Sequence, residues 1–299
     1  MHVLITGGTG LIGRRLCAAL SARGDSVTVL SRRPQSVPKL CGTGVNAMAS
    51  LDHWTSELRF DALINLAGEP IIDARWTKTR QQVLLDSRVA VTEKLVKKIA
   101  QTKHQPQVLI SGSAIGYYGI VADQTLNEET KSGHDFSASL CVAWEKAAQT
   151  VTEMDVRSVI VRTGLVLDND GGILKKMLLP FQCALGSRLG DGRQWMSWIH
   201  CEDYLNAVLT LLDDTSATGP YNLTAPQPVT NADFTRCLSR AVHRPALFVA
   251  PAWLLRLAMG ERSDLLLGGQ RVLPTRLLTR GFHFQYPDLT SALANLIEH

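Results

Sequence analysis

The stretch Val3-Leu4-Ile5-Thr6-Gly7-Gly8-Thr9-Gly10-Leu11-Ile12-Gly13 decides the architecture. β-prone residues run without a polar break into a glycine-rich turn, and a helical pattern over residues 11–23 opens directly behind it. A glycine triplet alone is weak evidence. Placed between a strand and a helix, the spacing Gly7, Gly10, Gly13 is a dinucleotide-binding turn. Gly7 permits the tight bend, Gly10 lets the backbone approach a pyrophosphate, and Gly13 lets the helix pack close to the strand. Leu11 and Ile12 head that helix, where unbonded N–H groups and the positive dipole end face the phosphates. A plain strand-to-helix turn would have no use for three glycines at this spacing.

Outward from this turn, short apolar runs at 3–6, 27–31, 62–66, 108–111 and 159–162 alternate with helical patterns at 11–23, 78–100 and 136–153. The runs are nearly continuous in Val, Leu and Ile, as in strands buried on both faces of a parallel sheet. The fold class is therefore α/β, a Rossmann-type doubly wound parallel sheet with helices on both faces. After Gly164 the pattern loosens into a glycine-punctuated region. Helical stretches return at 202–212 and 231–241, and the last fifty residues read as mainly helical, broken by Pro251, Pro274 and Pro287. Residues 1–165 are assigned to the dinucleotide-binding domain, with a later part, about 196–225, interleaved. Residues 166–299 are assigned to a smaller, mostly helical substrate lobe.

Composition narrows the function. The chain has 299 residues, 45% hydrophobic and 19% charged, with a net charge of +4 and no long basic run. Neither nucleic acid nor an anionic membrane is implied as a partner. No apolar stretch approaches the roughly 18–20 residues of a membrane helix, and the first residues enter a strand rather than a signal segment. The expectation is a cytoplasmic protein acting on a small molecule. Its six cysteines form no Cys-x-x-Cys pair, so reduced thiols and no zinc site are expected.

The identity of the dinucleotide turns on the end of the second strand. An acid there would accept hydrogen bonds from the adenosine ribose of NAD and repel a 2′-phosphate. This chain has Ser31-Arg32-Arg33 instead. A guanidinium can grip a phosphate through several N–H donors, so NADP is the expected cofactor, with Arg32 as the main contact and Ser31 assisting. The alternative, two solvated loop arginines, fits Arg33 better than Arg32.

These motifs, with Asp61–Gly68 and Ser111-Gly112-Ser113, resemble the extended short-chain dehydrogenase/reductase superfamily. More narrowly, Asn65–Pro70, Arg75-Trp76, Ser111–Gly119, Gly171–Pro180, Trp198-Ile199-His200 and the tail Leu265–Phe282 resemble an atypical branch, the epimerase-family proteins. That branch carries its own C-terminal domain, here about residues 248–297. The resemblance spans essentially the whole chain. It implies that the backbone of Leu66, Ala67 and Gly68 lines the adenosine and pyrophosphate side, and that Ser111 contributes to the cofactor site. It also implies that Val166 passes beside the nicotinamide. Arg88 stands where ordinary members carry an Asn, within reach of cofactor or substrate anions. Superfamily members often pair through long helices such as 78–100 and 136–153, so a homodimer is a further expectation by analogy.

Ordinary members use a Tyr to move the proton, a Lys four residues later to assist it, and a Ser to hold the substrate oxygen. With Glu145 as the anchor at the eighth position after the Tyr, Cys141 falls at the Lys position and Ser137 at the Tyr position. Only Ser113 survives in place. The candidate catalytic residues are therefore Ser113, Cys141 as a thiol acid and Tyr117, with plain packing the competing reading for the last two. Two functions follow: an NADP-dependent oxidoreductase or epimerase, and a catalytically silent NADP-binding sensor. His200 is open between capping or packing and catalysis, and Glu69 and Arg75 between substrate binding and ordinary loop charges.

Overall fold

In a computed structural model, residues 1–121 and 123–298 are described. Seven strands form the main sheet: β1 (His2–Thr6), β2 (Ser26–Leu30), β3 (Asn46–Met48), β4 (Ala62–Asn65), β5 (Val108–Ala114), β6 (Arg157–Thr163) and β7 (Gly219–Leu223). Their order is β7-β6-β5-β4-β1-β2-β3, and every neighbouring pair is parallel. The chain leaves β1 toward one edge, then returns to build from β4 toward the other. The two directions part between β1 and β4, and a crevice opens there at the carboxyl ends of the strands.

Side-chain alternation explains the two covered faces. Val3, Ile5, Val27, Val29, Ile64, Ile110, Val159 and Val161 point to one side. There they meet Leu16 and Leu20 of α1 (Leu11–Ala22) and Tyr204, Ala207 and Leu211 of a helix at Cys201–Asp213. Leu4, Leu63, Leu109 and Ile160 point to the other, against Leu95, Ile99 and Ala148. Leu95 and Ile99 lie on α3 (Val91–Gln101), which follows α2 (Lys78–Leu85), and Ala148 lies on α4 (Phe136–Gln149). The expected doubly wound sheet is present.

Four details depart from the sequence pattern, each for a local reason. The helix expected over 78–100 is two helices joined by a π-helical turn at Asp86–Ala90. Ser87 and Thr92 donate their hydroxyls back to the Leu84 and Arg88 carbonyls, which competes with the helical ladder. The helix expected over 136–153 ends at Gln149, tightens into a 3-10 turn at Thr150–Met154 and stops at left-handed Asp155. Strands β3 and β7 escaped notice because one has three residues and the other contains Pro220. A proline is tolerated because β7 is an edge strand. The glycine-punctuated region contains α5 (Gly172–Gln182), whose apolar stripe is masked in sequence by Pro180.

A second core lies beyond the sheet. Leu174 and Phe181 of α5 pack with Trp198, with Phe234 and Leu238 of α6 (Asn231–Ala241), and with Leu289, Ala292, Leu293 and Leu296 of α7 (Leu289–Glu298). The C-terminal part is largely helical, as expected. Among the described residues no helix is long and apolar enough to cross a membrane. Leu293 is fully buried between helices, so Leu293→Ala is expected to cost about 2–5 kcal/mol of stability. Urea denaturation measures this, and a loss well under 1 kcal/mol would show that the C-terminal helix is not part of the cooperative core.

Candidate functional site

The glycine turn is built as its spacing requires. Gly7 has φ +70°, and a Cβ there would lie 2.6 Å from the Leu66 carbonyl carbon and oxygen. A Cβ on Gly13 would overlap the Gly7 carbonyl oxygen and come within 2.6 Å of Gly8 Cα. Gly10 caps α1 without a side chain, and its own N–H bonds Gly7 O at 3.0 Å. The amides of Leu11, Ile12 and Gly13 belong to the first turn, where helix geometry supplies no acceptor. They form an anion-binding end beside the crevice.

The floor of this turn is fixed by a buried polar chain. Thr6 Oγ1 donates to Asn65 Oδ1 at 2.6 Å and accepts the Ala67 amide at 3.2 Å. Asn65 Nδ2 reaches Thr92 Oγ1 at 2.8 Å and Ser111 Oγ at 3.2 Å, and Trp144 Nε1 also donates to Thr92. Ser111 is wholly buried in this chain. Its hydroxyl accepts from Asn65 and so links β5 to β4. Leu66 and Ala67 are half-buried beside the glycine turn, and Val166 is half-buried between the two cores.

On the β2 side, Ser31 Oγ accepts the Arg33 amide at 3.1 Å. The Arg32 side chain reaches through solvent to Glu69, with Nη2 to Oε1 at 3.1 Å. Arg88 sits on the π turn and lies against Gly68, where a Cβ would be 2.9 Å from its guanidinium carbon. It donates to Leu84 O at 3.3 Å and Glu69 O at 2.9 Å, over the Trp144 ring. Burial lowers its pKa. Arg88 thus shapes the loop beyond β4 from behind.

The expected catalytic residues meet around a buried ion pair. Arg162 on β6 bonds Glu145 on α4 twice, Nε to Oε1 and Nη2 to Oε2, both at 2.9 Å. Both side chains are almost completely buried. Burial opposes the Arg162 charge, but the hydrogen bonds and charge of Glu145 more than reverse this and raise its pKa. Ser113 Oγ donates to Glu145 Oε1 at 2.6 Å. The Arg162 guanidinium also lies 3.4 Å from the Tyr117 ring centre and donates to Tyr118 Oη at 3.0 Å. Tyr118 in turn donates to Asn222 Oδ1 at 2.7 Å, and burial pushes its pKa up to about 12. Tyr117 is half-buried, so it is the more accessible of the two phenols.

Cys141 is close to Ser113, but burial and the nearby Glu145 charge push its thiol up to about 11. A thiol so buried keeps its proton near neutral pH and is a poor acid. Its side chain is buried, with little exposure. His200 caps the helix that follows it: Nδ1 accepts the Glu202 amide at 3.1 Å, Nε2 pairs with Asn295 at 3.1 Å, and the ring stacks on Tyr286. Arg75 reaches Ala258 O at 3.4 Å. Sequence reasoning used Glu145 only as an alignment anchor and missed Arg162 and Asn65. An uninterrupted apolar strand carrying one Arg, Val159-Ile160-Val161-Arg162, was the available signal for a buried partner.

This glycine turn, its uncapped helix and the sheet order define a dinucleotide site, and known proteins agree. Residues 3–224 match the model described as the NAD dependent epimerase/dehydratase family. The chain belongs to that family. Residues 250–296 match a domain of unknown function, DUF1731, as the epimerase-family resemblance requires. Epimerase family protein SSP1921 of Staphylococcus saprophyticus is 40% identical over 99% of both chains. Epimerase family protein YfhF of Bacillus subtilis is 37% identical over 99% of this chain and 98% of its own. The crystal structure of human epimerase family protein SDR39U1 with NADPH superposes with a TM-score of 0.91 at 34% identity, covering 100% of both chains.

In this family member, Gly13→Ala is expected to lower stability by about 1–3 kcal/mol through overpacking and to weaken dinucleotide binding. Chemical denaturation and fluorescence titration test both; a neutral result in each would mean the turn has room to spare. Glu145→Ala leaves Arg162 buried without its counter-charge, at an expected cost of about 3–5 kcal/mol. A melting temperature equal to wild type would refute the pair's structural role.

Proposed function

We propose that this chain binds NADP and is an oxidoreductase or epimerase acting on a small molecule. The observation that carries the cofactor choice is Arg32 at the end of β2, where an NAD-selective protein would place an acid. The human relative, with NADPH in its structure, supports the same reading. The site fits the cofactor in two places. The turn has no space for Cβ atoms at Gly7 or Gly13, as a backbone cradle for a pyrophosphate requires. The amides of Leu11, Ile12 and Gly13 would hold that pyrophosphate, with Gly10 permitting close approach. Ser31 and Arg32 would hold the 2′-phosphate. Leu66, Ala67 and Gly68 would line the adenosine side, and Val166 the nicotinamide side. When bound, the nicotinamide supplies a hydride donor or acceptor.

The residues around the reacting carbon would then work as follows. The Ser113 proton is committed to Glu145, so Ser113 presents lone pairs to its other neighbours. It can accept a hydrogen bond from a substrate hydroxyl, which orients an alcohol carbon rather than polarising a carbonyl. Tyr117, half-buried beside Arg162, is the proton donor or acceptor of choice. Arg162 holds its ring in place. Cys141 packs behind Ser113.

A silent, NADP-sensing protein is the second reading. It is favoured by the same Ser113–Glu145 bond and by the absence of a Tyr or Lys at positions 137 and 141. Titration of NADPH and NADH by fluorescence, followed by a panel of alcohols and carbonyls, separates the two. The expected result is tighter NADPH binding, with turnover lost in Ser113→Ala and Tyr117→Phe. Preference for NADH would reject the cofactor assignment. Tight NADPH binding without turnover across the panel would favour the sensor.

A further inference from the structure

Glu69 lies at the centre of an arginine cluster beside the glycine turn. Its Oε1 is 3.1 Å from Arg32 Nη2, and its Oε2 is 3.9 Å from Arg80 Nη1. Its backbone is held from behind: the amide donates to Ser87 Oγ at 3.1 Å, and the carbonyl accepts from Arg88. Two guanidinium groups therefore flank one carboxylate, an excess of one positive charge, while Arg88 holds the backbone behind it.

The two arginines on the carboxylate differ. The Arg32 side chain is 92% exposed, and that of Arg80 is 19% exposed. Arg80 stands in the first turn of α2, donates Nη2 to Pro70 O at 2.6 Å, and has a buried Nε with no partner among the described residues. An exposed Arg32–Glu69 pair alone would be worth little. A half-buried second arginine with unused donor capacity on the same carboxylate is a built anion site.

A carboxylate between two guanidiniums occupies the place that a phosphate would take, since both anions accept parallel N–H bonds. We infer that Arg80 is the second cation of the 2′-phosphate site and that Glu69 is a resident anion which the phosphate displaces. This rests on the NADP reading above and deepens it. A phosphate monoester carries about −1.5 to −2 charge at neutral pH against −1 for Glu69, so exchange on the arginines favours the phosphate. NADH has ribose hydroxyls there and cannot compete for the arginines. Its hydroxyls can instead donate to the Glu69 carboxylate. Glu69 therefore holds back NADP affinity while giving NADH a partner, and so sets the ratio between them.

Fluorescence titration of NADPH and NADH against wild type, Arg32→Gln, Arg80→Gln, Arg80→Lys and Glu69→Gln tests this at constant low salt. Arg80→Gln is expected to weaken NADPH about tenfold, the loss of one charge-assisted contact, and to leave NADH unchanged. Arg80→Lys should fall between Arg80→Gln and wild type, because it keeps the charge and loses the fork. Glu69→Gln should tighten NADPH and weaken NADH. Should Arg80→Gln fail to fold, the Arg80→Lys and Glu69→Gln ratios decide. An NADPH/NADH ratio unchanged by substitution at both Arg80 and Glu69 overturns the inference. If Arg32→Gln still collapses that ratio, NADP binding through Arg32 stands and only the roles of Arg80 and Glu69 fall. If Arg32→Gln has no effect either, the NADP reading falls with them.

Discussion

Arg162 and Glu145 bring two full charges into the packed interior behind the sheet's carboxyl edge. Removing them from water costs several kcal/mol for each ion, and mutual attraction repays this only when the remaining donors and acceptors are satisfied. The surrounding structure meets that demand. Ser113 and the two Glu145–Arg162 bonds use the carboxylate; Tyr118 and the Glu128 carbonyl take the donors of Arg162 Nη1. Because these partners lie on β5, α4, β6 and the loop after β5, the pair fixes how the strands carrying the candidate site meet the helix behind them. A hydrophobic replacement could equal it in stability, but it would not hold Ser113 and Tyr117 in one orientation.

The cofactor half was legible because its requirements are local. Glycines at 7, 10 and 13 act within a few residues of one another, so spacing carries the information. The polar chain through Thr6, Asn65, Thr92, Ser111 and Trp144 could not be read that way. Its members sit on five elements, and nothing in the strand Ala62-Leu63-Ile64-Asn65 shows what Asn65 will meet. The π turn at Arg88 was hidden for a different reason. An extra residue in a helical turn barely changes the apolar periodicity that locates the helix, so the stripe Leu84, Val91, Leu95, Ile99 reads through it. Cys141 is ambiguous in sequence because a small thiol suits either chemistry or packing, and spacing says nothing of its depth.

The two halves of the site impose different physical conditions. Around the glycine turn the chain offers backbone amides and guanidinium groups, which suit a permanently charged ligand and need no titration near neutral pH. Around Ser113 the polar groups are already bonded to one another. That network is closed on itself, through Glu145, Arg162, Tyr118 and Asn222.

Asn222 and Glu128 tie that network to the end of the chain. Asn222 accepts Tyr118 and donates to the Leu273 carbonyl, and Glu128 accepts the amides of Asn222 and Arg276. Burial raises the Glu128 pKa, and those amides oppose the rise. The C-terminal segment is thus not an appendage that a cofactor-binding domain acquired and could shed. Cutting the chain before it would strip acceptors and donors from the same circuit that anchors Arg162. The fragment would keep the ion pair but lose the Leu273 carbonyl and the Arg276 amide, which steady the polar residues around it.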